Sequence, residues 1–264
     1  VDDYKSTFTQ CLMFSFWVIF NLSDSGLGST LTAQAGALSS EGIPNDFFNN
    51  FNQITIVVAI PILDYIVYPT LEKWKINFKP VYKCFVGFML GALGSAASAI
   101  IQWRIYKTSP CGYYATTCDE PSPLTAWYVI INYGLEALGE CFCFTTAFEL
   151  AYTRAPSNAK GLVMALFLFN LAISDAISQA VSGALVDPNL IWPFTGIAAA
   201  GGFCAFLFLF MYWNLDKVME KEELEREAAR QEKLLEPVVT DYSEMPNDLE
   251  DEIELCTAAR SNRL

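Results

Sequence analysis

The 264-residue chain contains no histidine. This absence excludes Ser-His-Asp and Cys-His catalysis and every histidine-ligated metal site. Charged residues are also scarce, at 17% of the sequence against roughly 25% in a typical soluble domain. Only 16 residues are basic against 29 acidic ones, so the chain lacks the basic surface that a nucleic-acid-binding protein needs. With 53% hydrophobic residues, the composition argues against an ordinary soluble enzyme.

The net charge of −13 is unevenly distributed along the chain. Residues 216–264 contain 15 acidic and 7 basic residues, whereas residues 1–215 contain 14 and 9. The sequence therefore predicts a body over 1–215 that is poor in charge and an acidic tail over 216–264. Good helix formers at the start of the tail predict a solvated helix, and the segment after Pro237 is expected to be disordered.

The apolar residues of the body are clustered in runs of membrane length. A helix that crosses a bilayer needs about 20 mostly apolar residues. A large soluble core is the alternative, but six such runs with few charges between them argue against it. The sequence predicts an all-α membrane protein whose surroundings are the lipid bilayer. The six predicted transmembrane helices are 11–36, 54–71, 82–103, 124–150, 161–186 and 191–213.

Basic residues are concentrated in alternate loops. Four lysines lie in 72–83, and Arg154 and Lys160 lie in 153–160. The other loops, over 37–53, 104–123 and 187–190, contain only two basic residues between them. Since cytoplasmic loops carry an excess of lysine and arginine, 72–83, 153–160 and both termini are predicted to be cytoplasmic.

Two cysteines, Cys111 and Cys118, lie in a single loop on the opposite face. On an oxidising face this pair could form a short disulfide loop. Metal binding is the alternative, and it is less favoured because no other cluster of ligands is visible in these loops. No metal site is predicted.

Ionisable side chains inside the predicted spans are the candidates for function, because such groups are costly in a membrane and usually face a cavity or a partner. Glu136 and Glu140 lie about 40° apart on one helical face, whereas Glu149 points about 180° away from Glu140. Glu140 is central, where it could hold a substrate ammonium or a proton; a structural hydrogen bond between helices is the alternative. Glu149 is predicted to act at a gate or in an ion pair. The remaining acids within spans are Asp24, Asp64 and Asp175.

Several segments of the chain resemble the proton-dependent oligopeptide transporters of the major facilitator superfamily, and in particular their fungal di- and tripeptide transporters. These are PILDYIVYPTLEKWKINFKP at 61–80, GECFCFTTAFELAYTRAPSNAKGLVMALFLF at 139–169, the opening VDDYKSTFTQCLMF and the loop YKTSPCGYYATTC. The resemblance implies that the chain is the C-terminal half of a twelve-helix transporter, helices seven to twelve. The start at Val1, with neither an initiator methionine nor a signal peptide, fits this expectation.

The resemblance also implies roles for individual residues. Glu140, in the G-E step of the tenth helix, would bind the free amino terminus of the peptide. Asn52 would contact the peptide backbone, and Phe167 would line the pocket. Asp64 corresponds to an aspartate implicated in gating. Lys160 follows the Ala155-Pro156 turn, which is expected to be a cytoplasmic conformational element.

The implied activity is proton-coupled uptake of di- and tripeptides by alternating access, with protons as the coupling ion, no cofactor and no enzymatic reaction. The family's proton-coupling motif belongs to the first half, which would be the partner of this chain, at the plasma membrane. Glu136 stands where the family more often has an uncharged residue. Its expected role is in gating or proton coupling, and a shift in substrate preference is the alternative. A family member that carries an amino acid, nitrate or a peptidic toxin, or a truncated membrane fragment without transport activity, remains the alternative.

Overall fold

A computed structural model describes residues 13–24, 28–40, 42–44, 46–74, 78–118, 120–154, 160–181, 183 and 185–215, together with positions 221, 224 and 228. The chain divides into two units, Val1–Trp213 and Asn214–Leu264. Most of the second unit, including the segment after Pro237 that we expect to be disordered, lies outside the described residues. The described part of the first unit is mostly helical, which confirms the predicted fold class.

Eight α-helices carry the described part of the first unit. They are α1 (Phe16–Asp24), α2 (Gly28–Gly36), α3 (Asp46–Ile62), α4 (Tyr68–Lys73), α5 (Pro80–Thr108), α6 (Val129–Arg154), α7 (Lys160–Val181) and α8 (Ile191–Tyr212). Short 3₁₀ helices at Gly112–Thr117 and Ala126–Tyr128 join α5 to α6. Two short strands, β1 (Leu38–Ser39) and β2 (Ser122–Thr125), pair in parallel, with Leu38 opposite Ser122.

Among the residues that the structure describes, four helical segments have both the length and the apolar composition to cross a membrane. They are Asn50–Leu71, Pro80–Thr108, Lys160–Val181 and Ile191–Tyr212. They correspond to four of the six predicted spans. The fifth predicted span, 161–186, is too long at its end, because α7 stops at Val181. Gly183 and Pro188, which disfavour a continuing helix, follow that end.

The other two predicted spans differ from the structure. Within the first predicted span, 11–36, the structure describes two nine-residue helices, α1 and α2. Serine and glycine, which are poor helix formers, are frequent where they meet, and residues 25–27 lie outside the described set. The span over 124–150 is displaced: Pro123 lies in β2, so α6 begins only at Val129 and continues to Arg154. Its 26 residues are long enough to cross, but three glutamates lower its hydropathy.

The second membrane segment contains a change of helix type. Pro61 lies in the last turn of α3 and has no backbone N–H to donate to the carbonyl of Val57. A π-helical turn, Leu63–Val67, follows and leads into α4. Asp64 lies in this wider turn, which is the kind of irregularity often found at functional positions in helices.

Helix α5 is the central helix of the unit, because it packs against both α6 and α8. Its contact with α6 depends on glycines that leave no room for a side chain. A Cβ atom added at Gly87 would lie 2.8 Å from the carbonyl oxygen of Gly139, and one added at Gly139 would lie 2.9 Å from the carbonyl oxygen of Gly87. Small residues allow helices in a membrane to approach this closely.

A disulfide and one carboxylate organise the connection between α5 and α6. Cys111 and Cys118 are joined in a disulfide with their Cα atoms 5.9 Å apart, which is the first of the two alternatives for this pair. Asp187, which precedes α8, accepts a hydrogen bond from the hydroxyl of Tyr106 at 2.5 Å. It also accepts bonds of 2.7 Å from the backbone N–H and the hydroxyl of Thr116. The carboxylate therefore ties the disulfide loop to the end of α5.

We expect Asp187→Ala to loosen the disulfide loop while leaving the helices folded. The substitution removes the acceptor of three hydrogen bonds, and bonds to a charged group are worth roughly 1.5–3 kcal/mol each. Hydrogen–deuterium exchange should become faster over 112–117 and remain unchanged over 84–100. Glu120→Ala, which removes an exposed acid from the same connection, is the matched control and should not change exchange. Equal exchange in both variants would show that Asp187 does not hold the loop.

Candidate functional site

The structure brings two of the predicted site residues into direct contact. The side-chain amide of Asn52 on α3 donates a hydrogen bond of 2.7 Å to Oε1 of Glu140 on α6. Both side chains are half-buried. Among the described residues, no lysine or arginine forms an ion pair with Glu140. Within the part of the chain that the structure describes, the carboxylate therefore has no basic partner.

Oxygen atoms of the Asn52–Glu140 pair can still accept further hydrogen bonds. A carboxylate offers about four lone-pair sites, of which Asn52 occupies one. The other amide atom of Asn52, Oδ1, is buried and has no hydrogen-bond partner among the described residues. An ammonium group has three donors and no acceptor, so it matches a site that offers a carboxylate and a carbonyl oxygen.

The position of Glu140 follows from its neighbour in the sequence. Gly139 packs against the backbone of Gly87 on α5, which fixes one side of α6 at this level. The next residue on a helix points about 100° away, so Glu140 is directed away from α5, and it meets Asn52 on α3. The G-E step thus combines close packing with presentation of the carboxylate.

Glu136 lies one turn before Glu140 but has a different environment. It is only 3% exposed, and a Cβ atom added at Gly94 of α5 would lie 3.2 Å from its Cγ. Glu136 and Glu140 lie on one side of α6, as the helical spacing predicts, but the first packs against α5 and the second contacts α3. Residues on the same side of a helix still differ by about 40°, which here is enough to reach different neighbours.

Phe167 is enclosed by other aromatic rings. It is 0% exposed, and its ring centroid lies 5.1 Å from that of Phe14, 5.2 Å from Phe148 and 6.1 Å from Phe144. Phe148 is 40% exposed, so a ligand that approached this cluster would meet Phe148 before Phe167. The pocket-lining role of Phe167 stays a prediction.

Sequence reasoning missed Phe144 and Phe148 as neighbours of the candidate site. Both follow Glu140 on α6 at intervals of four residues, which keeps them within about 80° of it around the helix. The four-residue spacing from Glu140 therefore indicates that both rings lie on the same side of α6 as the carboxylate.

The remaining predicted residues lie apart from the Asn52–Glu140 pair. Asp64 is exposed and lies 12 residues beyond Asn52, about 18 Å along a helix. Glu149 is exposed and lies nine residues beyond Glu140, about 13 Å further along α6. Lys160 begins α7, and its ammonium lies 4.0 Å from the ring centroid of Tyr152. The Ala155-Pro156 turn is outside the described residues.

Comparison with known proteins identifies the family. The POT family model matches residues 1–197. The chain is 52% identical over 225 residues to the peptide transporter PTR2 of Candida albicans, covering 85% of this chain and 36% of the relative. It is 45% identical over 196 residues to the MFS-type transporter ucsM of an Acremonium species, covering 74% of this chain and 33% of the relative.

The fold is also that of a solved transporter. The structure matches the POT family transporter PepTSo with a TM-score of 0.69 at 18% identity, covering 82% of this chain and 43% of that chain. The chain thus spans about a third to two-fifths of the length of these proteins. Since the family model matches about three-quarters of its residues, the chain belongs to the POT family, whose members are membrane transporters and not enzymes.

Proposed function

We propose that this chain forms one half of a proton-coupled transporter for di- and tripeptides. The observation that carries the proposal is the Asn52–Glu140 hydrogen bond of 2.7 Å, in which a half-buried carboxylate has no basic partner among the described residues. The 52% identity to a fungal protein named as a peptide transporter supports the peptide as substrate. The partner of this chain is then a first half of six helices, and both halves enclose the peptide near the middle of the bilayer.

Glu140 binds the free amino terminus of the peptide in this proposal, and Asn52 contacts its backbone. An ammonium that leaves water needs a negative partner and hydrogen-bond acceptors, since an unpaired buried charge is costly. The carboxylate supplies the charge, and Asn52 Oδ1 supplies an unused acceptor. The first half supplies the positive group for the peptide carboxylate. Binding through backbone and termini allows many side chains to be accepted.

Protons are the coupling ion in this proposal, the membrane is the plasma membrane, and both termini face the cytoplasm. Asp64, Glu149 and Lys160 act in gating. Their exposed or interfacial positions on α3–α4, α6 and α7 support contacts that form with the first half during the transport cycle. Phe167 lines the peptide pocket in this proposal. Its ring contacts Phe144 and Phe148, which lie between it and Glu140.

The proposal is tested in a chimera in which this chain replaces the matching segment of the Candida albicans transporter. Expressed in yeast that cannot take up peptides, the chimera should accumulate a radiolabelled dipeptide, and accumulation should stop when the proton gradient is collapsed. The chain expressed alone is the control and should not accumulate dipeptide. Uptake of free amino acids or nitrate without uptake of dipeptide would instead identify a transporter of another solute. A chimera that reaches the membrane and transports nothing would contradict a transport role.

A further inference from the structure

A row of buried polar side chains runs along one side of α5. Ser95, Ser98 and Gln102 are all 0% exposed. Their spacings of three and four residues place them in one stripe of the helix, which continues for about 10 Å along its axis. We call these three residues, with Gln34 of α2, the buried polar row. Polar groups inside a membrane protein are costly unless they are hydrogen-bonded, so the row requires an explanation.

Hydrogen bonds connect the row to α1 and α2. The amide nitrogen of Gln34 donates to the carbonyl oxygen of Ser98 and to Oε1 of Gln102, both at 2.9 Å. At the other end, the hydroxyls of Ser95 and Ser23 lie 2.6 Å apart. The row therefore links the interior of the bundle, at Ser23 and Ser95, to the end of α5 near Gln102.

Glu136 lies at the interior end of this row. Its side chain is 97% buried against Gly94, the residue before Ser95, and Ser23 and Asn132 face its carboxyl group. Helix α5 has no charged residue between Lys83 and Arg104, α2 has none, and α1 has only Asp24 at its last position. On α6 itself the nearest ionisable residues are Tyr133 and Glu140. No basic side chain of these elements is therefore placed to neutralise an ionised Glu136.

The row and Glu136 have more hydrogen-bonding capacity than the protein uses. Buried atoms without a hydrogen-bond partner among the described residues include Glu136 Oε1, Ser98 Oγ, Gln34 Oε1 and Thr30 Oγ1. All four belong to side chains that are no more than 3% exposed. Buried water typically binds such groups, making about three hydrogen bonds to polar atoms that have no other partner.

We propose that the buried polar row binds a line of ordered water molecules and that Glu136 is a proton-exchange site at its interior end. With no counter-charge nearby, the carboxyl group holds a proton, because an ionised carboxylate in this position is costly. Release breaks the carboxyl O–H bond and transfers the proton to the adjacent water, leaving a carboxylate that hydroxyl and amide donors stabilise. The water line then carries the proton past Ser98 towards Gln102, and the reverse transfer restores the acid.

This site is separate from the proposed peptide site. Glu140 is half-buried against α3, whereas Glu136 is enclosed between α1, α5 and α6. The inference goes beyond the proposed function, because proton exchange at Glu136 is measurable without a substrate and without the first half of a transporter.

Infrared spectroscopy of the full 264-residue chain in lipid nanodiscs tests the proposal. At neutral pH the chain should show the carbonyl band of a protonated carboxylic acid, and transfer into D₂O should shift it. The band should be absent in Glu136→Gln and unchanged in Glu140→Gln, the matched acid one turn away. A band that is absent from the unmodified chain, or that disappears in Glu140→Gln instead, would overturn the assignment.

The water line is tested by the rate of the shift in D₂O. Gln102→Leu removes polar groups at the far end of the row, so exchange at Glu136 should become slower while the band remains. Thr195→Leu replaces an exposed polar residue on α8 and should leave the rate unchanged. These two variants retain Glu136, so they remain informative if Glu136→Gln does not fold. A band that does not exchange would show a static structural carboxyl group, and equally fast exchange in Gln102→Leu would show that the row does not carry the proton. Either result would overturn the proposal.

Discussion

Glu140→Gln is expected to abolish dipeptide uptake by the chimera without preventing folding. Glutamine retains a carbonyl oxygen that can accept the hydrogen bond from Asn52, so the contact between α3 and α6 survives. What is lost is the negative charge that would face the peptide ammonium. Removing one member of a desolvated charge pair costs roughly 3 kcal/mol or more, which corresponds to at least about a hundredfold weaker binding. Uptake of labelled dipeptide at a fixed, low concentration measures this loss.

Two comparisons isolate the amino-terminus role from a general defect. The unmodified chimera should discriminate strongly between a dipeptide and its N-acetylated form as competitors, since acetylation removes the ammonium. Glu140→Gln should reduce that discrimination to near unity. Glu120→Gln, which neutralises an exposed acid in the connection between α5 and α6, should leave both uptake and discrimination unchanged. Normal uptake by Glu140→Gln would leave the carboxylate with only its hydrogen bond between helices.

The structure contains the hydrogen bond between helices that the sequence offered as the alternative for Glu140, and the ammonium-binding role stays a proposal. The hydrogen bond to Asn52 is a structural contact between helices, and the same carboxylate has acceptor sites left for a ligand. One hydrogen bond to a neutral amide does not neutralise the charge of a carboxylate, and an unneutralised carboxylate is costly in a membrane. For this reason the two interpretations are compatible, and the glutamine variant separates them.

The Asn52–Glu140 pair could be anticipated because two separate signals pointed to it. Helical geometry selected Glu140 as the central acid of its span, and the resemblance supplied Asn52. The four predicted spans that the structure matches were also accessible, since long apolar runs are a strong local signal. Each of these predictions depends on residues close together in sequence or on a family pattern.

The buried polar row could not be anticipated in the same way. Ser95, Ser98 and Gln102 form a stripe on α5, but only the pairing with Gln34, 64 and 68 residues earlier, shows that this stripe is internal. The enclosure of Phe167 by Phe14 similarly depends on how α7 meets the start of the chain. Contacts of such long sequence separation follow from the packing of whole helices, which local patterns do not specify. The end of α1 at Asp24 and the start of α2 at Gly28 were instead accessible in principle, from the serines and glycines near them.

The glycine contact between α5 and α6 is the second feature on which the site depends, and Gly139→Leu is expected to disrupt it. A Cβ atom at position 139 would lie 2.9 Å from the backbone oxygen of Gly87 and 3.3 Å from the ring of Phe20. A backbone oxygen cannot turn aside as a side chain can, so the helices must separate. Overpacking of this kind costs typically about 1–3 kcal/mol, and a leucine adds three further carbon atoms to the clash. The result should be a large loss of folded chain in detergent extracts, measured by fluorescence-detected size-exclusion chromatography.

Position 134 of the same helix provides the matched control. A Cβ atom at Gly134 would meet no atom within 4 Å, so Gly134→Leu should elute like the unmodified chain. Gly139→Ala should fall between the two, because it adds only the Cβ atom. In the chimera, Gly139→Ala should also reduce dipeptide uptake per folded molecule, since separating α5 from α6 displaces the adjacent Glu140 relative to Asn52 on α3. If Gly139→Leu and Gly134→Leu were equally well folded, close packing at the G-E step would not be what positions the carboxylate.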